Sequence, residues 1–270
     1  MKTRILAAVV LLPLLLLVVL AAPKFITAIL FGVMAAIGAY ELLTGTGMVK
    51  HLRLNIYSMA MAFWTVLWCG LKLGSAWFML SLLLFWVLLF AEMMVSGMKL
   101  TFDKTALCLA AGVVIPILFG SIVRIHATFY GRFFVLVPFA MAFLSDTGAY
   151  FAGMAFGKHK LAPVISPKKT IEGVVGGVLA AMVGMLIYCC VLQVFFKLNT
   201  NYLAALLYGL LGSLGGVFGD LCFSVIKRQT GIKDYGNLIP GHGGILDRFD
   251  SMMVVGPLAE VLLLLIPLAV

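Results

Sequence analysis

Runs of about 17 to 25 apolar residues recur from one end of the chain to the other, the length a helix needs to cross the roughly 30 Å hydrocarbon core of a bilayer. No other feature limits the fold as strongly. Only 11% of the residues are charged, against about 25% in an ordinary soluble domain, so most of the surface these runs create cannot face water. A membrane β-barrel would instead show short segments of alternating polarity. The expectation is an all-α, polytopic integral membrane helix bundle of about nine transmembrane helices, over 5–22, 25–43, 55–71, 74–92, 105–121, 133–151, 172–195, 202–226 and 251–268. The Leu-rich pair 74–92 and 105–121 leaves room for an irregular or re-entrant element. The opening MKTRILAAVVLLPLLLLVVLAAP is too long in its apolar run for a secretion signal and reads as a retained first span.

Charge orients the bundle. With the N-terminus in the cytoplasm, Lys2, Arg4, Lys50, Arg53, Lys99, Lys104, Lys158, Lys160, Lys168, Lys169, Lys227, Arg228, Lys233 and Arg248 fall on that side. Lys24, Lys72, Arg124, Arg132 and Lys197 fall on the other, an asymmetry that follows the positive-inside rule. The net charge of +9 is thereby explained by membrane topology and anionic lipid, without nucleic acid as a partner. Five cysteines, Cys69, Cys108, Cys189, Cys190 and Cys222, sit in apolar stretches without metal-ligand spacing and read as packing residues.

The chain divides into N-terminal transmembrane helices, 1–132, and a C-terminal catalytic region, 133–270, integrated with the first into one domain. Chemistry-bearing residues collect in the second. Asp146, in SDTGAYFAG, lies inside an apolar helix, where an ionised carboxylate needs a cation, a metal ion or water, or a packing partner on a neighbouring helix. The loop GKHKLAPVISPKKTIEG brings Lys168 and Lys169 beside Thr170, a residue suited to capping the next helix. Ser166-Pro167 reads as the start of a turn, and the helix start beside two lysines suits a phosphate. A basic loop that merely orients the helix is the competing reading.

Asp220, Ser224 and Arg228 recur every four residues on one helix face, with Lys227 adjacent. Gly212 with Gly216 and Gly215 with Gly219 permit close helix packing. The following loop, IKDYGNLIPGHGGILDRFD, supplies Lys233, Asp234, His242, Gly243, Gly244, Asp247, Arg248 and Asp250, with Pro240 and the glycines defining a constrained turn that a substrate could touch through backbone. Asp146, Asp220 and Asp247 come from separate segments expected at one depth near the cytoplasmic ends of the C-terminal helices. Carboxylates gathered without thiols favour Mg2+, and the surrounding lysines and arginines suit a phosphate-rich substrate. The chain has neither a GxxxxGK[ST] loop nor a Rossmann fingerprint. These residues alone leave two readings open: a magnesium-assisted phosphoryl enzyme in a membrane, or an ion-coupled transporter.

The segment SVIKRQTGIKDYGNLIPGHGGILDRFD, Ser224 to Asp250, resembles the signature of the phosphatidate cytidylyltransferases, the CDP-diacylglycerol synthases. Ser224, Lys227-Arg228, Lys233-Asp234, Pro240, His242-Gly243-Gly244, Asp247-Arg248 and Asp250 carry it, and SDTGAYFAG and SPKKTIEG precede it in the expected order. The resemblance implies transfer of CMP from CTP to phosphatidic acid, with CDP-diacylglycerol and pyrophosphate as products. It implies Mg2+ held by Asp220 and Asp247, with Asp146 as a third ligand or a partner to the ligands, and K+ in at least some relatives. Lys168, Lys169, Thr170, Ser224, Lys227, Arg228, Lys233 and Arg248 become phosphate contacts, and His242 a donor to pyrophosphate or an organiser of the turn. A homodimer in a bacterial inner membrane is likewise implied. The remaining alternatives are another CTP-dependent lipid enzyme, such as a polyprenol kinase-like relative, and the transporter.

Overall fold

A computed structural model describes residues 13–269 apart from Lys72, Met98, Pro240 and His242. The first part of the expected first span lies outside the described residues; 13–21 is helical. Among the described residues, seven helices are long and apolar enough to cross a membrane: α1 (Lys24–Gly45), α2 (Leu52–Leu71), α3 (Ser75–Val95), α4 (Phe102–His126), α5 (Gly131–Phe156), α6 (Ile171–Phe196) and α7 (Tyr202–Gln229). A one-turn helix α8 (Leu246–Phe249) and α9 (Met252–Leu265) follow.

The expected ninth span is shorter than anticipated. The 14 residues of α9 rise only ~21 Å, short of the ~30 Å hydrocarbon core. The all-α expectation holds except for one hairpin between α5 and α6, β1 (Lys160–Ala162) antiparallel to β2 (Ser166–Thr170). Ser166 and Pro167 therefore belong to a strand, and the turn falls at 163–165. Proline is admissible there because a two-stranded ribbon has only edge strands.

Two compact units emerge, residues 1–128 with 227–249, and 129–226 with 250–270. In the first, α1 and α2 form an antiparallel pair seamed by small residues: a Cβ on Gly32 would sit 2.9 Å from the Phe63 ring, and one on Gly70 would be 2.6 Å from the Ala28 methyl. Such seams matter because lipid solvates apolar side chains as well as a neighbouring helix does, so close packing has to hold helices together. α3 keeps most of its large side chains, among them Trp77, Leu83 and Leu84, on an exposed face suited to lipid.

The irregularity anticipated within 105–121 is real. α4 contains a π-turn at Ala110–Val114, and Pro116 lacks the N–H that would bond the Gly112 carbonyl one turn earlier. The Thr65 hydroxyl of α2 donates to that carbonyl instead, at 3.2 Å. Backbone freed in an apolar interior is thus satisfied by a neighbouring helix.

In the second unit, α5 and α6 pack almost backbone to backbone. Cβ atoms on Gly148, Gly176 and Gly184 would lie 2.3 Å or less from Ala180, Ala152 and Leu144 respectively. Gly212 of α7 closes on Met141 of α5, and Gly219 on the backbone at Asp250 and Ser251. The glycines noted on α7 are therefore contact points, as their spacing suggested.

Candidate active site

Two groups of the expected residues take shape, one in each unit. The first is built on the loop after α7. The helix closes through Gly231, whose φ of +72° few side chains tolerate, and the Ile232 N–H bonds the Lys227 carbonyl at 3.0 Å. The chain then turns back to α8, which presents Asp247 inward with only 1% of its side chain exposed.

Asp247 is held on three sides. Its Oδ1 accepts from Lys227 Nζ at 2.9 Å, and its Oδ2 from the N–H groups of Tyr235 at 2.7 Å and Gly244 at 3.0 Å. Lys227 also lies 5.4 Å from the centre of the buried Tyr235 ring, a cation–π distance. One carboxylate thereby joins the end of α7, the middle of the loop and its glycine turn. Gly243 adopts φ +85°, and a Cβ there would approach Asp247 Oδ2 to 2.8 Å. Its hydrogen lets the turn close over the carboxylate.

A second carboxylate, which sequence reasoning left unassigned, holds the same loop. Glu41 in the π-turn ending α1 is 4% exposed, and its two oxygens accept the N–H groups of Ile245 at 3.0 Å and Leu246 at 2.8 Å. The only local signal was an acidic residue at the end of an apolar run. Its partners are 204 and 205 positions away, beyond the reach of periodicity.

Beside this framework lies a cavity of about 510 Å³ lined by Lys233, Asp234, Gly236, Asn237, Ile239, Gly241, Gly243 and Arg248. Its size is ordinary for a small-molecule site, and its wall mixes apolar surface with two basic side chains, an aspartate and glycine backbone. Lys233, Asp234 and Arg248 are exposed. His242 and Pro240 lie outside the described residues.

The other group joins α7 to the hairpin. Lys169 Nζ meets Asp220 Oδ2 at 2.6 Å, while the Ser224 hydroxyl donates to Asp220 Oδ1 at 3.0 Å. The four-residue spacing thus makes the contact it suggested. Thr170 caps α6, its Oγ1 accepting the Gly173 N–H at 3.2 Å, as expected from its position. Glu172 accepts from the backbone N–H groups of Lys158 and His159 and pairs with the His159 ring, pinning the hairpin to the first turn of α6. Lys168 stays exposed. Asp146 is exposed midway along α5, next to Ser145, whose hydroxyl bonds Ser213 of α7 at 2.7 Å. Asp250 accepts the Ser251 N–H at 2.8 Å in the turn between α8 and α9, and Arg228 is exposed near the end of α7.

Among the described residues no group of three or more His, Cys, Asp or Glu side chains is placed to hold a metal. The donor chemistry at Asp220 nevertheless suits magnesium, which typically uses one or two protein carboxylates and completes its shell with water and substrate phosphates. Asp220 offers a carboxylate about one-third exposed, whose outer oxygen already faces a cation, the Lys169 ammonium. Asp247 likewise faces an ammonium, but two backbone donors occupy its second oxygen. A carboxylate has about four lone-pair sites, so its three contacts leave one more.

Long apolar helices place the chain in the class of polytopic membrane proteins, and the sequence comparisons specify the family. The profile of the Cytidylyltransferase family matches residues 2–266, and the chain belongs to that family. It is 43% identical over 166 residues to a phosphatidate cytidylyltransferase of Staphylococcus epidermidis, a stretch covering 62% of each chain. It is 41% identical over 184 residues, or 68% of each chain, to that of Staphylococcus haemolyticus, and 39% identical over the same length and share to that of Staphylococcus saprophyticus. The match thus spans slightly less than two thirds of the S. epidermidis protein. With seven long apolar helices among the described residues, this is a multi-pass membrane protein, and its relatives are bacterial.

Proposed function

We propose that this chain transfers CMP from CTP to phosphatidic acid, giving CDP-diacylglycerol and pyrophosphate for phospholipid synthesis. The family match over 2–266, with relatives named phosphatidate cytidylyltransferase, carries the reading. A phosphate oxygen of the lipid attacks the α-phosphorus of CTP; the new P–O bond forms as the bond to the β-phosphate breaks, and pyrophosphate departs with the electron pair. The attacking oxygen is already anionic, so the protein's task is to neutralise and align phosphates more than to remove a proton.

The 510 Å³ cavity suits the soluble nucleotide, with Lys233 and Arg248 facing its phosphates. Lys227 and Arg228, at the same end of α7, are further phosphate contacts. Lys168, Lys169, Thr170 and Ser224 hold another phosphate edge. His242 donates to pyrophosphate or organises the glycine turn, while Asp234, Gly243, Gly244 and Asp250 shape the loop. Asp220 would supply oxygens to Mg2+, and the roles of Asp247 as a second ligand and of Asp146 as a third ligand or a partner to the ligands rest on the family resemblance alone. Bound there, magnesium offsets repulsion between donor and acceptor phosphates and stabilises charge on pyrophosphate.

The wider reading places the N-terminus and the two polar loops in the cytoplasm, where CTP arrives, and assigns 133–270 as the catalytic part. Basic-residue asymmetry supports that orientation. A count of nine spans rests on the recurring apolar runs, and K+ and a homodimer rest on the resemblance. Product analysis tests the activity: incubation with phosphatidic acid and CTP should yield CDP-diacylglycerol and pyrophosphate in equal amounts. CDP with a newly phosphorylated lipid would identify terminal phosphoryl transfer instead, and solute movement without turnover would identify a transporter.

A further inference from the structure

We infer that Glu41, on the N-terminal helix α1, is a positioning residue that fixes the glycine loop at the nucleotide cavity; the inference builds on the activity proposed above. Four observations meet at this carboxylate. It is 4% exposed at the end of an apolar helix, where an acidic group has little use unless its oxygens are occupied. Both oxygens are occupied, by the Ile245 and Leu246 N–H groups. Those residues are immediately before Asp247, and the loop that contains them supplies Gly236, Gly243 and Arg248 to the cavity wall.

The fourth observation concerns glycine. A Cβ on Gly244 would lie 2.4 Å from both Glu41 oxygens, and one on Gly236 would lie 2.6 Å from Oε1. The sequence suggested that a substrate could touch backbone at the turn of Gly241, Gly243 and Gly244; at Gly244, and at Gly236 earlier in the loop, the absence of a side chain makes room for the carboxylate. The chain also closes tightly one turn further along α1, where a Cβ on Gly45 would meet the Tyr235 carbonyl at 2.1 Å. Glu41 holds the loop from one side and Asp247 from within it. Glu41 bonds backbone N–H groups, so its effect passes through backbone placement.

Glu41→Gln keeps the shape but replaces one acceptor oxygen with an NH2 group facing a backbone N–H. A lost hydrogen bond to a charged acceptor is worth about 1.5–3 kcal/mol, and about 1.4 kcal/mol is tenfold. The expected result is a KM for CTP raised about tenfold, with kcat and the KM for phosphatidic acid within about twofold of wild type. Hydrogen exchange in the segment 244–246 should accelerate in the same variant. If Glu41→Gln is recovered only unfolded, Glu41→Asp retains the charge, shortens the reach by one methylene, and carries the same expected split.

Gly244→Ala tests the contact from the other side. Adding Glu41→Ala to Gly244→Ala should cost no more than the more damaging single change, because one clash and one contact are being removed. Equal changes in both KM values, unchanged exchange at 244–246, or fully additive losses in the double variant would overturn the assignment. Wild-type protein that makes no CDP-lipid refutes the proposed activity; active wild type with an unaltered Glu41→Gln refutes the positioning role alone.

Discussion

Asp247→Asn separates an organising role for this carboxylate from a purely ligand-binding one. In the wild type, Asp247 and Lys227 have side chains only 1% and 12% exposed, and they meet at 2.9 Å. An asparagine oxygen can still accept the Tyr235 and Gly244 N–H groups, but its NH2 must then face the Lys227 ammonium, donor to donor. Breaking a buried pair by removing one partner costs about 3–5 kcal/mol, because the other charge is left uncompensated. Against a typical total of about 5–15 kcal/mol, a large fall in stability should follow. Lys227→Met added to Asp247→Asn removes the stranded charge, and the deficit should shrink to about that of one unmatched amide, 1–3 kcal/mol. Denaturation of detergent-purified protein, followed by loss of its monodisperse chromatographic peak, reads both variants. Both should be inactive, yet only the single variant severely destabilised. Wild-type stability in an inactive Asp247→Asn, or equal instability in single and double variants, would refute the argument that Lys227 is the dominant partner.

Further expectations follow from other contacts. Asp220→Asn should sharply reduce turnover while lowering stability by less than about 1 kcal/mol, since its pair with Lys169 is partly solvated; Lys50→Gln, at an exposed position, should leave turnover near wild type in the same assay. Thr170→Ala removes the cap of α6 and should cost about 1 kcal/mol in denaturation, with serine restoring most of it. Thr65→Val keeps shape but leaves the Gly112 carbonyl without its donor, so a loss of about 1–3 kcal/mol is expected in the same measurement.

The sequence made the helical frame legible because span length and hydropathy are local properties that a bilayer imposes directly. The cap at Thr170, the contact of Ser224 with Asp220 and the close packing of the α7 glycines were legible for a similar reason, since each follows from helical spacing or end chemistry. The length of α9 was less so, because apolar composition continues past the point where the helix stops at Leu265. The hairpin was missed because lysine, proline and serine suggest a turn, whereas pairing Ala162 with Ser166 places the turn three residues wide before them. Glu41 was invisible as an anchor because its partners are loop amides far along the chain. The contacts that Lys227 and two amides make to Asp247 were equally out of reach, because they come from separate parts of the loop and helix end.

The most direct test of the central claim follows the phosphorus atoms of CTP. Purified protein would be mixed with phosphatidic acid and CTP labelled, in separate reactions, on the α- or the γ-phosphorus, with and without magnesium. Cytidylyl transfer is expected to send α-label into lipid and γ-label into pyrophosphate, in equal amounts and only with magnesium. Appearance of γ-label in lipid, or no lipid labelling by a folded preparation, would contradict it.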